Sequence, residues 1–299
     1  MKIGIDFGGH TIIAALISTG EEPPRIERRT QRDTPSGRSV AAVVEMLADA
    51  IEELAYGASR TAVDFVGVAV PGMLDAGRRS ARKMANFPVE WDGVDIPATL
   101  AGELQKRNLN PAVRIENDAN CYALGEGSAG VAVGLRDYVV LTMGTGIGCG
   151  IVLGGRLLTG SHGMAGEAGH IVVDGSAPCG CGGMGHAETL AAADGTSCRA
   201  RAAGLPEDFA VLWRMRGDAG ADAVLDVTLD AMARTIAGVS HTLDPEMIVI
   251  GGGMSRAQGL LEALRLRTLP YLSRPFRDVL NLQISSLGND AALYGAVRI

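Results

Sequence analysis

Between Gly166 and Glu188 the sequence reads GEAGHIVVDGSAPCGCGGMGHAE. This short stretch holds two carboxylates, two imidazoles and a C-x-C pair. Zinc favours thiolate and imidazole ligands arranged as a tetrahedron, and His170, Cys179, Cys181 and His186 supply a complete set of four. Glu167 and Glu188 flank the set, each within three residues of a proposed ligand. Folding the loop around a metal would fix both acidic side chains, a suitable way to hold a polyhydroxylated ligand.

Three glycine-rich turns offer a second chemistry: Asp6 to Thr11, Gly144 to Gly150, and Gly251-Gly252-Gly253. Glycine lets the backbone approach phosphate closely, and successive N–H groups in such turns form anion-binding concavities. No turn has the G-x-x-x-x-G-K-[ST] pattern, and the glycine triplet lacks dinucleotide spacing. Each follows a run that reads as a buried strand, and their joint occurrence carries the signal. Asp6 and Asp118 sit at strand ends, where α/β active sites collect. A carboxylate there serves Mg²⁺ or proton transfer. For Asp118 the competing assignment is a helix N-cap, because a helical run starts at Ala119-Asn120.

The elements that must position these groups alternate between strand and helix, which predicts an α/β architecture. Lys2–Phe7 and Thr11–Ile17 read as strand, turn, strand, and residues 21–38 as a polar connection. A helical stripe runs from Val40 to Leu54, with Gly57 at the C-cap position. Phe65–Val70 reads as a buried strand. Ile96–Arg107 reads as a helix capped by Asp95, with Pro97 in its first turn. A short strand Val113–Ile115 leads into Glu116-Asn117-Asp118. Tyr138–Leu153 repeats the opening hairpin, and Leu141-Thr142-Met143-Gly144 overlays Ile5-Asp6-Phe7-Gly8. That match points to an internal duplication with two similar glycine turns facing across a cleft. Helices are expected at 188–203, 221–243 and 256–268, strands at Met247–Ile250 and Leu280–Ser285, and a last short helix from Asp290.

At 299 residues two domains are expected, and 47% apolar residues are ample for their cores. Gly reaches 41 residues against 4% aromatics, a profile suited to α/β enzymes with tight turns at ligands. A net charge of −7 argues against nucleic acid, whose phosphates demand a clustered basic surface. The arginines at 25–32 and 78–83 lie among acidic and turn residues, as on a solvated loop. No signal peptide is evident and no apolar run is long enough to span a membrane. Five cysteines with one C-x-C pair fit metal ligation in a reducing compartment, so a cytoplasmic protein is expected. Cys121 reads as core. Cys149, within the second turn, and Cys198, within a helix, are poorer metal ligands.

Taken in order, these residues resemble the ROK sugar kinases of the actin-like ATPase superfamily over essentially the whole chain. The resemblance rests on Asp6-x-Gly8-Gly9, Val68-Ala69-Val70-Pro71-Gly72, Asn86-Phe87-Pro88 with Trp91, and Glu116-Asn117-Asp118-Ala119-Asn120. It continues through Gly144-Thr145-Gly146-Ile147-Gly148, Gly166-Glu167-x-Gly169-His170, Cys179-x-Cys181-Gly182, Glu188, the triplet at 251–253 and Gly288-Asn289-Asp290.

The resemblance implies a two-domain, ribonuclease H-like α/β fold with a central cleft and a zinc-binding loop. The small lobe would be 1–117 plus 288–299 and the large lobe 118–287. It implies transfer of the γ-phosphate of ATP to the 6-hydroxyl of a hexose, glucose first, with N-acetylmannosamine, allose, fructose and mannose as alternatives. Polyphosphate is a second conceivable donor. Asp118 corresponds to the catalytic base. Gly72, Asn86, Asn117, Glu167, His170 and Glu188 correspond to sugar contacts. Asp6, Gly8, Gly9 and Thr11 form the first phosphate segment, Gly144, Thr145 and Gly146 the second, and Gly251, Gly252 and Gly253 the adenosine site. Mg²⁺ would accompany ATP, structural zinc would sit in the loop, and a homodimer is implied.

Two departures stand out. His10 stands where the family usually has Thr, leaving Thr11 as the substitute. His186 replaces a usual third cysteine, which turns a Cys₃His site of charge −1 into a neutral Cys₂His₂ site. Two other classes compete with this reading. A sugar-responsive repressor needs a DNA-binding module ahead of the first strand, which begins at Lys2. A binding module without catalysis has no need of Asp118.

Overall fold

The computed structural model describes residues 1–20, 23–56, 63–84 and 87–299. The Gly57 cap and the Asn86 sugar contact lie outside the described residues. Contacts divide the chain into two compact units, Met1–Gly134 with Leu157–Ala165 and Asn289–Ile299, and Leu135–Arg156 with Gly166–Gly288. The first unit thus extends past the expected boundary at 117/118, because the helix that starts at Asp118 packs on the first sheet.

In the first unit, β1 (Lys2–Phe7) and β2 (Thr11–Ser18) make the expected antiparallel hairpin. The expected connection at 21–38 instead contains a nine-residue strand, β3 (Arg25–Asp33), paired antiparallel to β2. Its sequence RIERRTQRD is mostly exposed, and charge along an outermost strand hides the apolar alternation that marks interior strands. There follow α1 (Val40–Tyr56), β4 (Phe65–Val70), the small hairpin β5 (Met73–Leu74) and β6 (Ala81–Lys83), α2 (Ile96–Lys106), β7 (Ala112–Asn117) and α3 (Asp118–Ala129). Asp95 caps α2 as expected, accepting from the Ala98 N–H at 2.9 Å.

The sheet order is β3-β2-β1-β4-β7, with β1, β4 and β7 parallel. Alternation within β1 sends Ile3, Ile5 and Phe7 to one face, where they are fully buried with Leu47, Ile51 and Leu54 of α1 and Leu100 and Leu104 of α2. Each such side chain contributes about 1.5–3 kcal/mol on burial. The parallel strands therefore end at one edge, carrying Asp6, Gly72 and Asp118 with them.

The second unit contains β8 (Tyr138–Met143), β9 (Ile147–Leu153), β10 (Arg156–Leu157), α4 (Ala187–Ala191), α5 (Ala193–Ala202), α6 (Phe209–Arg214), α7 (Ala219–Leu243), β11 (Met247–Gly251), α8 (Leu260–Thr268), α9 (Arg274–Val279) and β12 (Leu282–Ile284). The expected helix at 188–203 is broken at Ala192, whose backbone is extended (φ −73°, ψ 162°). The break frees the Ala193 N–H to donate to the Gly144 carbonyl at 2.8 Å. The helix expected from 256 starts four residues later, after a 3-10 turn at Gly253–Arg256.

The second sheet runs β10-β9-β8-β11-β12, an antiparallel hairpin followed by parallel neighbours, as in the first. The short match between residues 5–8 and 141–144 thus overlays the ends of equivalent strands. The last helix, α10 (Ala291–Ala296), returns to the first unit and packs with α3 behind the first sheet. A Cβ on Gly125 would lie 1.9 Å from the Ala291 carbonyl oxygen, and one on Gly295 only 1.6 Å from that of Cys121. Glycine at both crossing points lets the helices touch backbone to backbone, which fixes α3 and the acid at its start.

Candidate active site

Asp118 is the first residue of α3, and the cap before it is Asn117. The Asn117 Oδ1 accepts from the Asn120 N–H at 3.0 Å, so the capping duty considered for Asp118 falls on its neighbour. The Asn117 Nδ2 donates to the Gly72 carbonyl at 3.1 Å and to Asp118 Oδ1 at 3.0 Å. The Ala119 N–H adds a donor to the same oxygen at 2.8 Å. Gly72 is at φ 93°, a conformation costly to other residues, and its position against Lys83 and Met84 leaves no room for a Cβ. The structure thus brings Gly72, Asn117 and Asp118 into one hydrogen-bonded group, with the Asn117 amide largely engaged inside it.

Asp6 ends the neighbouring strand in register with Ala69. Burial pushes its carboxyl up to about 7, the Asp118 charge adds to the effect, and Arg29 opposes it. The Asp118 residue opens to solvent, yet protein packed around its carboxyl raises its pKa against the lowering influence of the Ala119 N–H and the Asn117 amide. An acid that raises the pKa of its neighbour lies close to it, and the pair forms a ready site for cationic charge.

In the first turn the Gly8 N–H donates to the Thr11 carbonyl at 2.9 Å. Thr34 Oγ1 donates to the Gly8 carbonyl at 2.8 Å and Arg38 Nε to the Gly9 carbonyl at 2.9 Å. His10 is exposed at its tip, and Thr11 is already in β2, paired with Asp33.

In the second unit the Gly144–Ile147 turn is braced by Glu188. One Glu188 oxygen accepts from the Ile147 N–H at 3.1 Å, and a Cβ on Gly146 would lie 2.4 Å from it. The triplet at 251–253 follows β11, the parallel neighbour of β8, so the second and third turns occupy adjacent strand ends. Ser255 Oγ ties the triplet down by donating to the Gly252 carbonyl at 2.7 Å.

His170, Cys179, Cys181 and His186 converge, with one potential ligand atom of each within 4.8 Å of all the others. His186 Nδ1 lies 3.1 Å from His170 Nδ1 and 3.2 Å from Cys181 Sγ. Zinc bonds of about 2.0–2.3 Å give tetrahedral edges of about 3.3–3.8 Å, so this donor set fits zinc with small adjustments. Cys179 is held at about 7 despite the opposing effect of burial, through the Cys181 N–H, Thr189 and His186, which favours the ligating thiolate. The other ring nitrogen of His170 faces Glu167 Oε2 at 3.7 Å, an outer carboxylate of the kind that orients ligating histidines.

A family model described as the ROK family matches residues 2–299. The chain belongs to the ROK family. It is 35% identical to the glucokinase of Thermotoga maritima, over 99% of this chain and 96% of that protein. It is 32% identical to the N-acetylmannosamine kinase of Salmonella heidelberg, over 99% of this chain and 97% of that one. A ROK family glucokinase from Streptomyces griseus, solved with glucose and AMPPNP, superposes with a TM-score of 0.82 at 27% identity, covering 99% of this chain and 98% of that one. The fold is accordingly the ROK sugar kinase fold, α/β with two mixed sheets. Among the described residues no helix is long and apolar enough to cross a membrane.

Three residues at the first turn escaped the sequence reading. Arg29 acts on Asp6 and pairs with Asp290 at 3.0 Å, while Thr34 and Arg38 fasten the glycine carbonyls. All three fall in the stretch 21–38, expected to be a polar connection. Recognising RIERRTQRD as an edge strand would have placed them, because β3 must then run beside the hairpin that carries the turn.

Proposed function

We propose that this ROK protein transfers the γ-phosphate of ATP to the 6-hydroxyl of a hexose, glucose first among them. The observation that carries the proposal is the state of Asp118. Its neighbour caps the helix, its Oδ1 is fixed by two donors, and it heads a helix beside a second acid at a parallel-strand edge. The glucokinases at 35% and 27% identity, one solved with glucose and a nucleotide analogue, support the sugar and the donor. The N-acetylmannosamine kinase at 32% identity keeps that amino sugar as the second candidate.

Phosphoryl transfer has a loose transition state in which alignment and charge neutralisation dominate over base strength. Asp118 would orient the attacking hydroxyl and receive its proton late, a task within reach of an ordinary carboxylate. Glu167, His170 and Glu188 combine acceptors with an imidazole, matching sugar hydroxyls that both donate and accept. The glycine turns at 8–11 and 144–146 would present backbone N–H groups to phosphates, and that at 251–253 would receive the adenosine. The raised Asp6 carboxyl, crowded by Asp118, fits a site for Mg²⁺, which when bound supplies charge neutralisation for phosphate oxygens. The Cys₂His₂ cluster fits zinc in a closed structural site that holds the loop bearing His170.

A coupled ADP-release screen over hexoses and N-acetylhexosamines tests the proposal, with the phosphorylated position of the product read by NMR. Glucose-dependent ADP release and glucose 6-phosphate are expected. A panel in which no sugar stimulates ADP release would refute it.

A further inference from the structure

Arg78 sits in the left-handed backbone region at φ 54°, an unfavourable place for a residue with a Cβ. Asp75 builds the turn that holds it there. The Asp75 carboxylate accepts from the N–H groups of Gly77, Arg79 and Ser80 at 3.0, 2.8 and 2.7 Å, and its carbonyl accepts from the Arg78 N–H at 3.1 Å. The turn aims the guanidinium inward. Its Nε pairs with Glu116 Oε2 at 3.0 Å, and its Nη1 donates to the Gly163 carbonyl at 2.9 Å.

Glu116 passes the constraint onward. Its side chain is only 6% exposed, and its other oxygen, Oε1, accepts from the Asn117 N–H at 2.8 Å and from Asn120 Nδ2 at 2.9 Å. Asn117 in turn holds Asp118 Oδ1 at 3.0 Å. An unbroken chain of charged and polar contacts therefore runs from Arg78 through Glu116 and Asn117 to an oxygen of the acid. Without its guanidinium partner Glu116 would be an uncompensated buried charge, which must protonate or swing outward. Either response disturbs the oxygen that seats Asn117.

We propose that Arg78 and Glu116 are positioning residues for Asp118, with the ion pair between them fixing the Asn117 bridge. Arg78 simultaneously fastens the segment Leu157–Ala165 to the same unit through Gly163. The proposal rests on Asp118 being the base, and neither residue touches substrate under that reading. A misplacement of about 1 Å in reacting groups costs on the order of a hundredfold in rate.

The test is a double-mutant cycle in the full-length enzyme. Arg78→Met is expected to lower kcat about ten- to hundredfold while sugar affinity by calorimetry stays within about threefold. Arg78→Lys, which still offers Glu116 a cation but no fork to Gly163, should recover part of the loss. In an Asp118→Asn background Arg78→Met should cost less than about twofold more, because it acts through the acid already removed. Should Arg78→Met fail to fold, Glu116→Gln carries the same expectations. A kcat within twofold of wild type for Arg78→Met, or losses that multiply fully with Asp118→Asn, would overturn the proposal. Asp118→Asn retaining full turnover overturns the base assignment, and the positioning role with it, and is seen in the single variant before the cycle is closed.

Discussion

Asp6→Asn should exchange activity for stability, with a size that depends on pH. Burial and the nearby Asp118 charge lift the Asp6 carboxyl from an ordinary 3.8 to about 7 in the folded protein. A carboxyl whose folded pKa is raised favours folding fully below its unfolded value and loses that contribution as pH rises through the folded one. The window here is therefore roughly pH 4 to 7, with a plateau above it. At about 1.4 kcal/mol per pKa unit, the gap corresponds to at most about 4 kcal/mol by pH 8. Asparagine cannot ionise, so this slope should vanish in the variant. Urea unfolding of ligand-free protein at pH 5, 6, 7 and 8 measures the difference, and the fully buried Trp91 reports on the core that contains β1. The variant's advantage over wild type should grow with pH and level off near pH 8, while turnover falls. Parallel pH dependences in the two proteins would refute the coupling of burial and charge assigned to Asp6.

Asp118→Asn should keep sugar binding by calorimetry and lose about 10²–10⁴ in kcat, equal to about 3–5 kcal/mol of barrier. Metal analysis by mass spectrometry should find one zinc per chain. A Cys179→Ser/Cys181→Ser variant should lose the zinc and raise the sugar KM about tenfold or more, the scale seen when ligand-orienting groups fail; a fully active zinc-free protein would exclude the structural metal. His186→Cys should retain the zinc in the same measurement, since thiolate and imidazole both complete a tetrahedron. Gly295→Ala should lower stability in thermal melts by about 1–3 kcal/mol despite the better helix propensity of alanine, because its Cβ would strike the Cys121 carbonyl.

Apolar patterning located β1, β2, α1, β4 and β8 closely, because the strands read as apolar runs and α1 commits one face to a core, while the Asp95 cap and Pro97 located α2. It failed at β3, where four arginines, Glu27 and Asp33 crowd the outermost strand, and at α6, a six-residue helix too short to show a stripe. The helix expected at 188–203 read as continuous because its alanines suit a helix anywhere. The interruption at Ala192 goes with a hydrogen bond from the Ala193 N–H to Gly144, some fifty residues away, which local propensity cannot report. The Cys₂His₂ cluster was legible because ligand chemistry restricts both residue type and spacing. The division of labour between Asn117 and Asp118 was not, since both residues suit a cap and only the backbone decides which carries it. Arg78 gave no sequence signal among the neighbouring arginines. Its role comes from an unusual φ set by the Asp75 turn.

Covering the back of the first sheet with α10 has a bearing on biosynthesis. The groove where this helix lies is complete once α3 has been made, yet the helix itself is translated roughly 170 positions later. At ribosomal speeds of about 5–20 residues per second, the nascent first sheet waits roughly 10–30 s with that surface unclosed. The second unit, Leu135–Arg156 with Gly166–Gly288, is translated entirely in between and can consolidate in the interval. Closure of the half that bears Asp118 is then among the last events of maturation, so an abortive, shortened product lacking α10 would lack the acid's support.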